Sequence, residues 1–268
     1  MNLRSLGYRT DLFFPRFEGE VVDCGRYTAI RTPTNPTFYW GNFLIFDRPP
    51  AEGDFARWTA LFAQEIGAPP KVHHVALGWD SPEGDHGVVQ PFLEAGYDLE
   101  ESVVLTTQSV HRPAKYCDEA EVRPLKTDRE WETAVEIHVA CREPEYSEAG
   151  YREFSARKMA HSRAMVTAGL GQWFGAFIEG ELAADLGIFV TDGLARFQTV
   201  GTAPKFRRRG ICSALVHQSA EYALTQMSAQ NLVMVADVHY HAAKIYESIG
   251  FTPTERQLGL TWWERNAE

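Results

Sequence analysis

Thr199-Val200-Gly201-Thr202-Ala203-Pro204-Lys205-Phe206-Arg207-Arg208-Arg209-Gly210-Ile211-Cys212-Ser213-Ala214-Leu215 is the stretch on which the reading of this chain turns. A strand over residues 195–200 is expected to end at Gly201, and a short loop carrying Pro204 follows. From Gly210 the apolar positions Val216, Ala220, Ala223, Leu224 and Met227 recur at helical spacing, which predicts a long helix to about Ala229. Unpaired backbone N–H groups at such a helix start form an anion site, helped by the positive end of the helix dipole. Gly210 lets the backbone approach a ligand with no Cβ in the way. Arg207, Arg208 and Arg209 add charge suited to phosphates.

Working outward, three strands are expected in quick succession at 172–178, 182–190 and 195–200. Glu179-Gly180-Glu181 and Asp192-Gly193 separate them, and both have the residues of tight hairpins. Before them come a short strand at 122–125, a helix carrying Trp131, Ala134, Val135 and His138 on one face, and a polar helix over 147–168. After the long helix come a strand at 232–237, a helix running through Ile249 and a last strand. The order is strand, two helices, three strands, helix, strand, helix, strand, an α/β arrangement with a mixed sheet covered on both faces.

The glycine-containing segment resembles the coenzyme A pyrophosphate loop of the GNAT superfamily, Arg/Gln-x-x-Gly-x-Gly/Ala, here Arg207-x-x-Gly210-x-Cys212. The preceding Val200-Gly201-Thr202-x-Pro204-x-Phe206 and the following Ser213-Ala214-Leu215-Val216 are also similar to the family. Downstream, His239, Ala242, Tyr246 and Gly250-Phe251 stand at the spacing of its second signature, an Asn, an Ala, a Tyr and a Gly-Phe pair. The resemblance covers roughly 120–268 and implies a GNAT-like acyl-CoA N-acyltransferase fold with acetyl-coenzyme A as cosubstrate. It implies direct acetyl transfer to an amine in a ternary complex. Val200, Thr202, Arg207, Arg208, Arg209, Gly210, Ile211, Cys212, Ser213 and His239 would hold the cosubstrate. Tyr246 would be the general acid that protonates the departing sulfur; its other reading is packing, since Ala242, Ile245, Tyr246 and Ile249 make one helix face.

Two positions depart from the family pattern. Cys212 stands where glycine or alanine is usual; it reads as a small spacer, or as a helix-start thiol able to accept an acyl group. His239 replaces the asparagine. Asp237-x-His239-x-His241 also invites a metal reading, but no fourth ligand is evident, so no metal is expected. The general base stays open among Asp185, Asp237, His239 and a water chain.

The segment His111 to Glu119 has no apolar period and contains Pro113, so it reads as a linker between a domain at 1–115 and one at 120–268. In the first half a strand at 43–46, a helix at 55–66 and a strand at 73–77 are expected. Phe92-Leu93-Glu94-Ala95-Gly96-Tyr97 and the strand at 102–105 then echo Tyr246-Glu247-Ser248-Ile249-Gly250-Phe251 and its strand. The matching order suggests a degenerate GNAT-like copy, and so two tandem copies. Its cofactor site is expected to be lost. Phe92 stands at the position of Tyr246, and Asp47-Arg48-Pro49-Pro50-Ala51-Glu52-Gly53-Asp54 replaces the glycine loop with acids and prolines.

Bulk properties set the outer limits. The 268 residues suit two domains, each able to bury a core. A net charge of −10 argues against a general nucleic-acid role. Cys24, Cys117, Cys141 and Cys212 are scattered, which fits a reducing compartment. No apolar run suits a signal peptide or a membrane span, so a cytoplasmic location is expected, with no membrane partner. The partner expected is an unidentified amine in a small molecule, peptide or protein. The alternatives are a coenzyme A-binding regulatory or interaction module without turnover, and a tandem acyltransferase resembling mycothiol synthase.

Overall fold

Hydrophobic periodicity and turn chemistry place most of the elements. In the computed structural model, which describes residues 1–144, 146–238 and 242–264, the first half runs α1 (Leu6–Asp11), α2 (Pro15–Glu18), β1 (Glu20–Asp23), β2 (Tyr27–Arg31), β3 (Phe43–Phe46), α3 (Asp54–Glu65), β4 (His74–Trp79), α4 (Gln90–Glu94) and β5 (Asp98–Thr107). The second half runs β6 (Glu121–Pro124), α5 (Asp128–Ala140), α6 (Glu148–Thr167), β7 (Gly171–Ile178), β8 (Glu181–Thr191), β9 (Leu194–Thr202), α7 (Ile211–Gln226), β10 (Asn231–Asp237), α8 (Ala242–Glu247) and β11 (Thr252–Trp263). The chain divides into two compact units.

One unit holds residues 105–234 and 240–253, with strand order β10-β9-β8-β7-β6. The ladders β6–β7, β7–β8 and β8–β9 are antiparallel, while β9 and β10 are parallel. Both hairpin turns have positive φ at their two central residues, Glu179 (51°) with Gly180 (80°) and Asp192 (51°) with Gly193 (75°). That is the mirror-image turn whose twist matches paired strands. On β7, Trp173 meets Trp131 and His138 of α5, while its neighbour Phe174 meets Tyr222 of α7. Successive strand residues point to opposite faces, so α5 and α7 cover the sheet from two sides. Both α5 and α6 start at side-chain caps, Thr127 and Ser147.

The other unit holds residues 1–104, the end of β10 from Val235, and the chain from Thr254 onward. Its strand order is β1-β2-β3-β4-β11-β5. Here β3 and β4 are parallel and β11 runs antiparallel to β4, from Leu258↔Trp79 to Trp263↔His74. A single cut between 115 and 120 is therefore not the boundary of the units, because the last strand completes the sheet of the first one. The core is aromatic: Phe46 stacks on Trp58 at 3.8 Å, and Trp58 packs on Trp79 and Phe92. The N-terminal α1 is tied down by Asp80, whose carboxylate accepts the Arg4 and Ser5 amides at 2.8 and 2.9 Å.

A shared device relates the two units. In each, a strand leads to a glycine at positive φ, a helix starts, and a parallel strand returns: β3–Gly53–α3–β4 and β9–Gly210–α7–β10. The two N-cap glycines have nearly identical angles, φ 81° and ψ −7° against φ 80° and ψ 6°. No helix among the described residues is long and apolar enough to cross a membrane.

At the start of α5, Glu130 completes a capping box with Thr127 and pairs with Arg123 at 2.7 Å. Burial alone would raise its pKa, but Arg123 and the Lys126 and Thr127 amides outweigh it and bring it from 4.5 to about 2. A folded value below the unfolded one means stabilisation in full above about pH 4.5, lost as the pH falls through about 2. Acid melts should therefore show a shallower decline for Glu130→Gln, which starts from lower stability at neutral pH. Parallel declines for the two proteins would remove Glu130 from the account of acid stability.

Candidate functional site

The site begins with an irregularity in β9. Across the ladder, Ala184 faces Thr202 and Asp185 faces Gly201, but Gly187 faces Gln198, so Thr199 and Val200 together oppose Leu186. This is a β-bulge, one extra residue in one strand. Thr199 takes φ 45°, the left-handed region that costs a β-branched residue most, and its buried Oγ1 has no hydrogen bond. On the other side of β9 the described ladder with β10 ends at Arg196↔Val233, although β9 runs on to Thr202. Val200, in the bulge, is half-buried, and Gly201 is buried.

After β9 a short turn over Pro204–Phe206 leads to Arg207 in extended conformation, Arg208 at φ 64° and Gly210. No side chain caps α7. The first helical bond is Ala214 N–H to Gly210 O at 3.1 Å, and the N–H groups from Arg208 through Ser213 make no hydrogen bond to a described residue. A run of unengaged donors at the positive end of a helix is an anion cradle.

The three arginines differ. Arg207 Nε donates to Thr202 O at 3.2 Å, and its Nη2 lies 3.3 Å from Cys141 Sγ. Cys141 Sγ–H also donates to Thr202 O, at 3.4 Å. The Thr202 carbonyl is thus engaged within the chain, and Arg207 serves in part to fix β9 to the end of α5. Arg209 sits 3.7 Å from Glu119. Arg208 is exposed and has no ion-pair partner among the described residues. Ile211 and Ser213 are buried in the first turn of α7.

The reason for Gly210 is also broader than ligand access. A Cβ there would lie 3.0–3.1 Å from backbone atoms of Tyr116 and Cys117, so the expected linker packs directly on the start of α7. The thiol of Cys212 is pushed up to about 11 by burial, against a smaller lowering by the Thr202 hydroxyl. Since the thiolate is the nucleophile, this removes the support for Cys212 as an acyl acceptor and leaves the spacer reading.

Tyr246 is buried on α8 and packs edge-on to Phe251, which packs on Phe197 of β9 at 5.8 Å. His239 and His241 lie outside the described residues, and with them the metal reading. Asp237 is exposed at the end of β10. Asp185 is completely buried; its Oδ1 accepts the Trp173 Nε1–H at 2.9 Å and bonds His138 Nε2 at 2.8 Å, while Oδ2 is unbonded. Sequence reasoning placed His138 on an apolar helix face and missed this pair. The available signal was an aspartate inside the otherwise apolar run Leu182-Ala183-Ala184-Asp185-Leu186.

The matching helix start in the other unit is closed. Asp54 is buried, and its carboxylate accepts the Ala51 amide at 2.8 Å and pairs with Arg48 at 2.7 Å and Arg57 at 2.6 Å. The carboxylate fills the position at this helix start. Phe92 is buried against Phe55, Trp58 and Tyr97.

Residues 131–251 match the acetyltransferase (GNAT) family model, and this segment of the chain is a GNAT-family domain. Among solved structures the chain is similar to a functionally unknown conserved protein from Staphylococcus epidermidis, with TM-score 0.69, 13% identity, and 92% of this chain and 94% of that one covered. It is similar to a GCN5-related N-acetyltransferase from Kribbella flavida, with TM-score 0.64, 13% identity and 96% of each chain covered. It is also similar to a tandem GNAT protein from the clavulanic acid biosynthesis pathway, with TM-score 0.51, 13% identity and 78% and 68% covered. No curated protein matches in sequence. The mixed α/β fold is that of GNAT proteins, tandem ones included.

The two special residues of the loop can be checked directly. Gly210→Ala should lower the melting temperature as well as any anion affinity, because both the positive φ and the Tyr116–Cys117 backbone resist a side chain. Iodoacetamide at neutral pH should label exposed Cys24 well before Cys212. Equal labelling rates would contradict the raised pKa of the half-buried Cys212 thiol.

Proposed function

We propose that the chain is an acetyl-coenzyme A-dependent N-acetyltransferase that moves an acetyl group directly to an amine. The observation that carries this reading is the run of unbonded N–H groups from Arg208 through Ser213 at the uncapped start of α7. A pyrophosphate matches that cradle in charge and in its need for several donors, and Arg208 is the cation left to meet it. The bulge frees peptide groups around Val200 from the ladder, so an extended arm can bond there like an added strand. Acetyl-coenzyme A, when bound, supplies the acyl group as an activated thioester. Tyr246 is the general acid for the leaving sulfur, since its phenol O–H is a proton donor. The acceptor is an amine of a small molecule, peptide or protein.

The first unit has no role in cofactor binding in this reading. Asp54 occupies its helix start, and Phe92 has no proton to give. Titration calorimetry should give one coenzyme A per chain, and two equivalent sites would overturn the asymmetry. Arg208→Ala should weaken coenzyme A binding while leaving the melting temperature unchanged. Unchanged affinity would move the phosphates elsewhere.

Turnover is tested with a panel of amines, following thiol release from acetyl-coenzyme A. Release with an amine supports the enzyme; tight coenzyme A binding with no release favours the regulatory alternative. Tyr246→Phe keeps the ring packing and removes the proton, so kcat should fall about 10²-fold or more with coenzyme A affinity little changed. An unaltered kcat would assign the proton to another group.

A further inference from the structure

The His138–Asp185 pair has no part in holding the cosubstrate, yet it lies directly against the bulge. An ideal Cβ on Gly201 would stand 3.4 Å from His138 Cδ2 and 3.6 Å from Asp185 Oδ2. The bare Cα of Gly201, next to Val200, therefore lets β9 pack closely against Ile137 and the Cδ2 edge of the imidazole. Three residues further along α5, Cys141 bonds Thr202 O, so the helix is pinned to β9 at this level.

The hydrogen bonds fix how the ring is used. Trp173 Nε1 can only donate, so the Asp185 Oδ1 that it bonds is an acceptor, and the proton of the second bond to that oxygen sits on His138 Nε2. In the neutral imidazole the second ring nitrogen, Nδ1, then carries a lone pair, and it makes no hydrogen bond to a described residue. The ring is buried, with 4% of the side chain exposed. An imidazole held through one nitrogen by a buried carboxylate, with the other nitrogen unengaged, has the layout of a general base and its orienting partner. Asp185 faces the ring from β8 and is the ionisable group bonded to it among the described residues.

We propose that His138 is the catalytic base that takes a proton from the incoming ammonium, with Asp185 as its positioning residue. The inference rests on the acyltransferase reading above. The ammonium gives one proton to His138 Nδ1, and the neutral amine attacks the thioester carbonyl carbon. A C–N bond forms as the C–S bond breaks, and the sulfur leaves with the bonding pair and is protonated by Tyr246. The attacking nitrogen gives up its second proton, which returns to Tyr246, and the imidazolium releases its own to water. The balance is one ammonium and one thioester in, and one amide, one thiol and one released proton out.

The test uses a matched pair within the amine panel. Ethylamine is an ammonium at neutral pH, whereas trifluoroethylamine is already mostly the free base. His138→Gln keeps a donor for Asp185 and removes the lone pair. It should lower kcat/KM for ethylamine by about 10²-fold and leave trifluoroethylamine little changed. Equal loss with both amines marks a structural role and overturns the proposal, as does no loss with ethylamine. Asp185→Asn should lower kcat for ethylamine with the KM for acetyl-coenzyme A unchanged; a change in that KM alone would assign Asp185 to cosubstrate binding. A readout independent of turnover and of variant folding is nitrogen NMR of the parent protein. It should find the His138 proton on Nε2, and a proton on Nδ1 instead would overturn the assignment. No thiol release with any amine would remove the acyltransferase reading first, a failure distinct from an active enzyme indifferent to His138.

Discussion

The extra residue in β9 is the constraint on which the rest of the site depends. A regular β9 would pair with β8 along its whole length and leave no surplus residue in that ladder. With Thr199 and Val200 set against Leu186, the strand bends, and the ladder resumes only at Gly201 and Thr202. A β-branched residue at φ 45° costs on the order of 1–3 kcal/mol, so it persists only where its surroundings over-determine it. They do so here. The hairpin turn at Asp192-Gly193 fixes the register at one end of the β8–β9 ladder, and Ala203 N–H to Ala183 O at 2.9 Å holds the other. Between those clamps the extra residue has nowhere to go but outward.

The strain coincides with polar groups left unsatisfied. Thr199 Oγ1 and Asp185 Oδ2 are both buried without a hydrogen bond, and both belong to the few residues around the bulge. Each such group costs about 1–3 kcal/mol relative to a bonded one. A fold selected for stability alone would place an apolar side chain at 185, as it does at Leu182 and Leu186 of the same strand. Backbone strain, an orphaned carboxylate oxygen and an imidazole with one unused nitrogen are thus concentrated within a few residues of the bulge, at a cost that a well-packed core avoids.

Much of the second unit was legible from the chain, because its boundaries carry local chemistry. Glu179-Gly180 and Asp192-Gly193 spell out mirror-image turns, and Thr127 and Ser147 cap the helices that follow them. The start of α7 was equally readable from Gly210. What escaped was non-local. The elements α1, α2, β1 and β2 are four to six residues long and show little period of their own. The first helix depends on Asp80 accepting the Arg4 and Ser5 amides, and on Tyr8 donating to the Leu258 carbonyl near the other end of the chain. No pattern within β11 could announce that it pairs with β4. The bulge was invisible for a related reason, since Thr199 and Val200 are ordinary strand residues and only the register shows that one is surplus. His138 was read as part of an apolar stripe, because the feature that singles it out, Asp185, lies on another element.

The comparison of the two glycine-started helices separates what the fold needs from what the chemistry needs. Gly53 and Gly210 share their backbone angles, and each turns a strand into a helix whose first donors have no partner within it. In the first unit Asp54 stands at that end, and its carboxylate accepts the Ala51 amide and is itself held by Arg48 and Arg57. Burial would raise the pKa of such a group, yet the arginines and the amide hold it below the usual carboxylate range, so an anion does sit at this helix start. The second unit has Ile211 at the equivalent position, and Arg208 nearby is left without an acid. The backbone device is common to both; what differs is whether the protein supplies its own negative charge. The open helix start therefore carries an electrostatic demand that the closed one shows can be met from within. Leaving it unmet costs stability unless an external anion completes it.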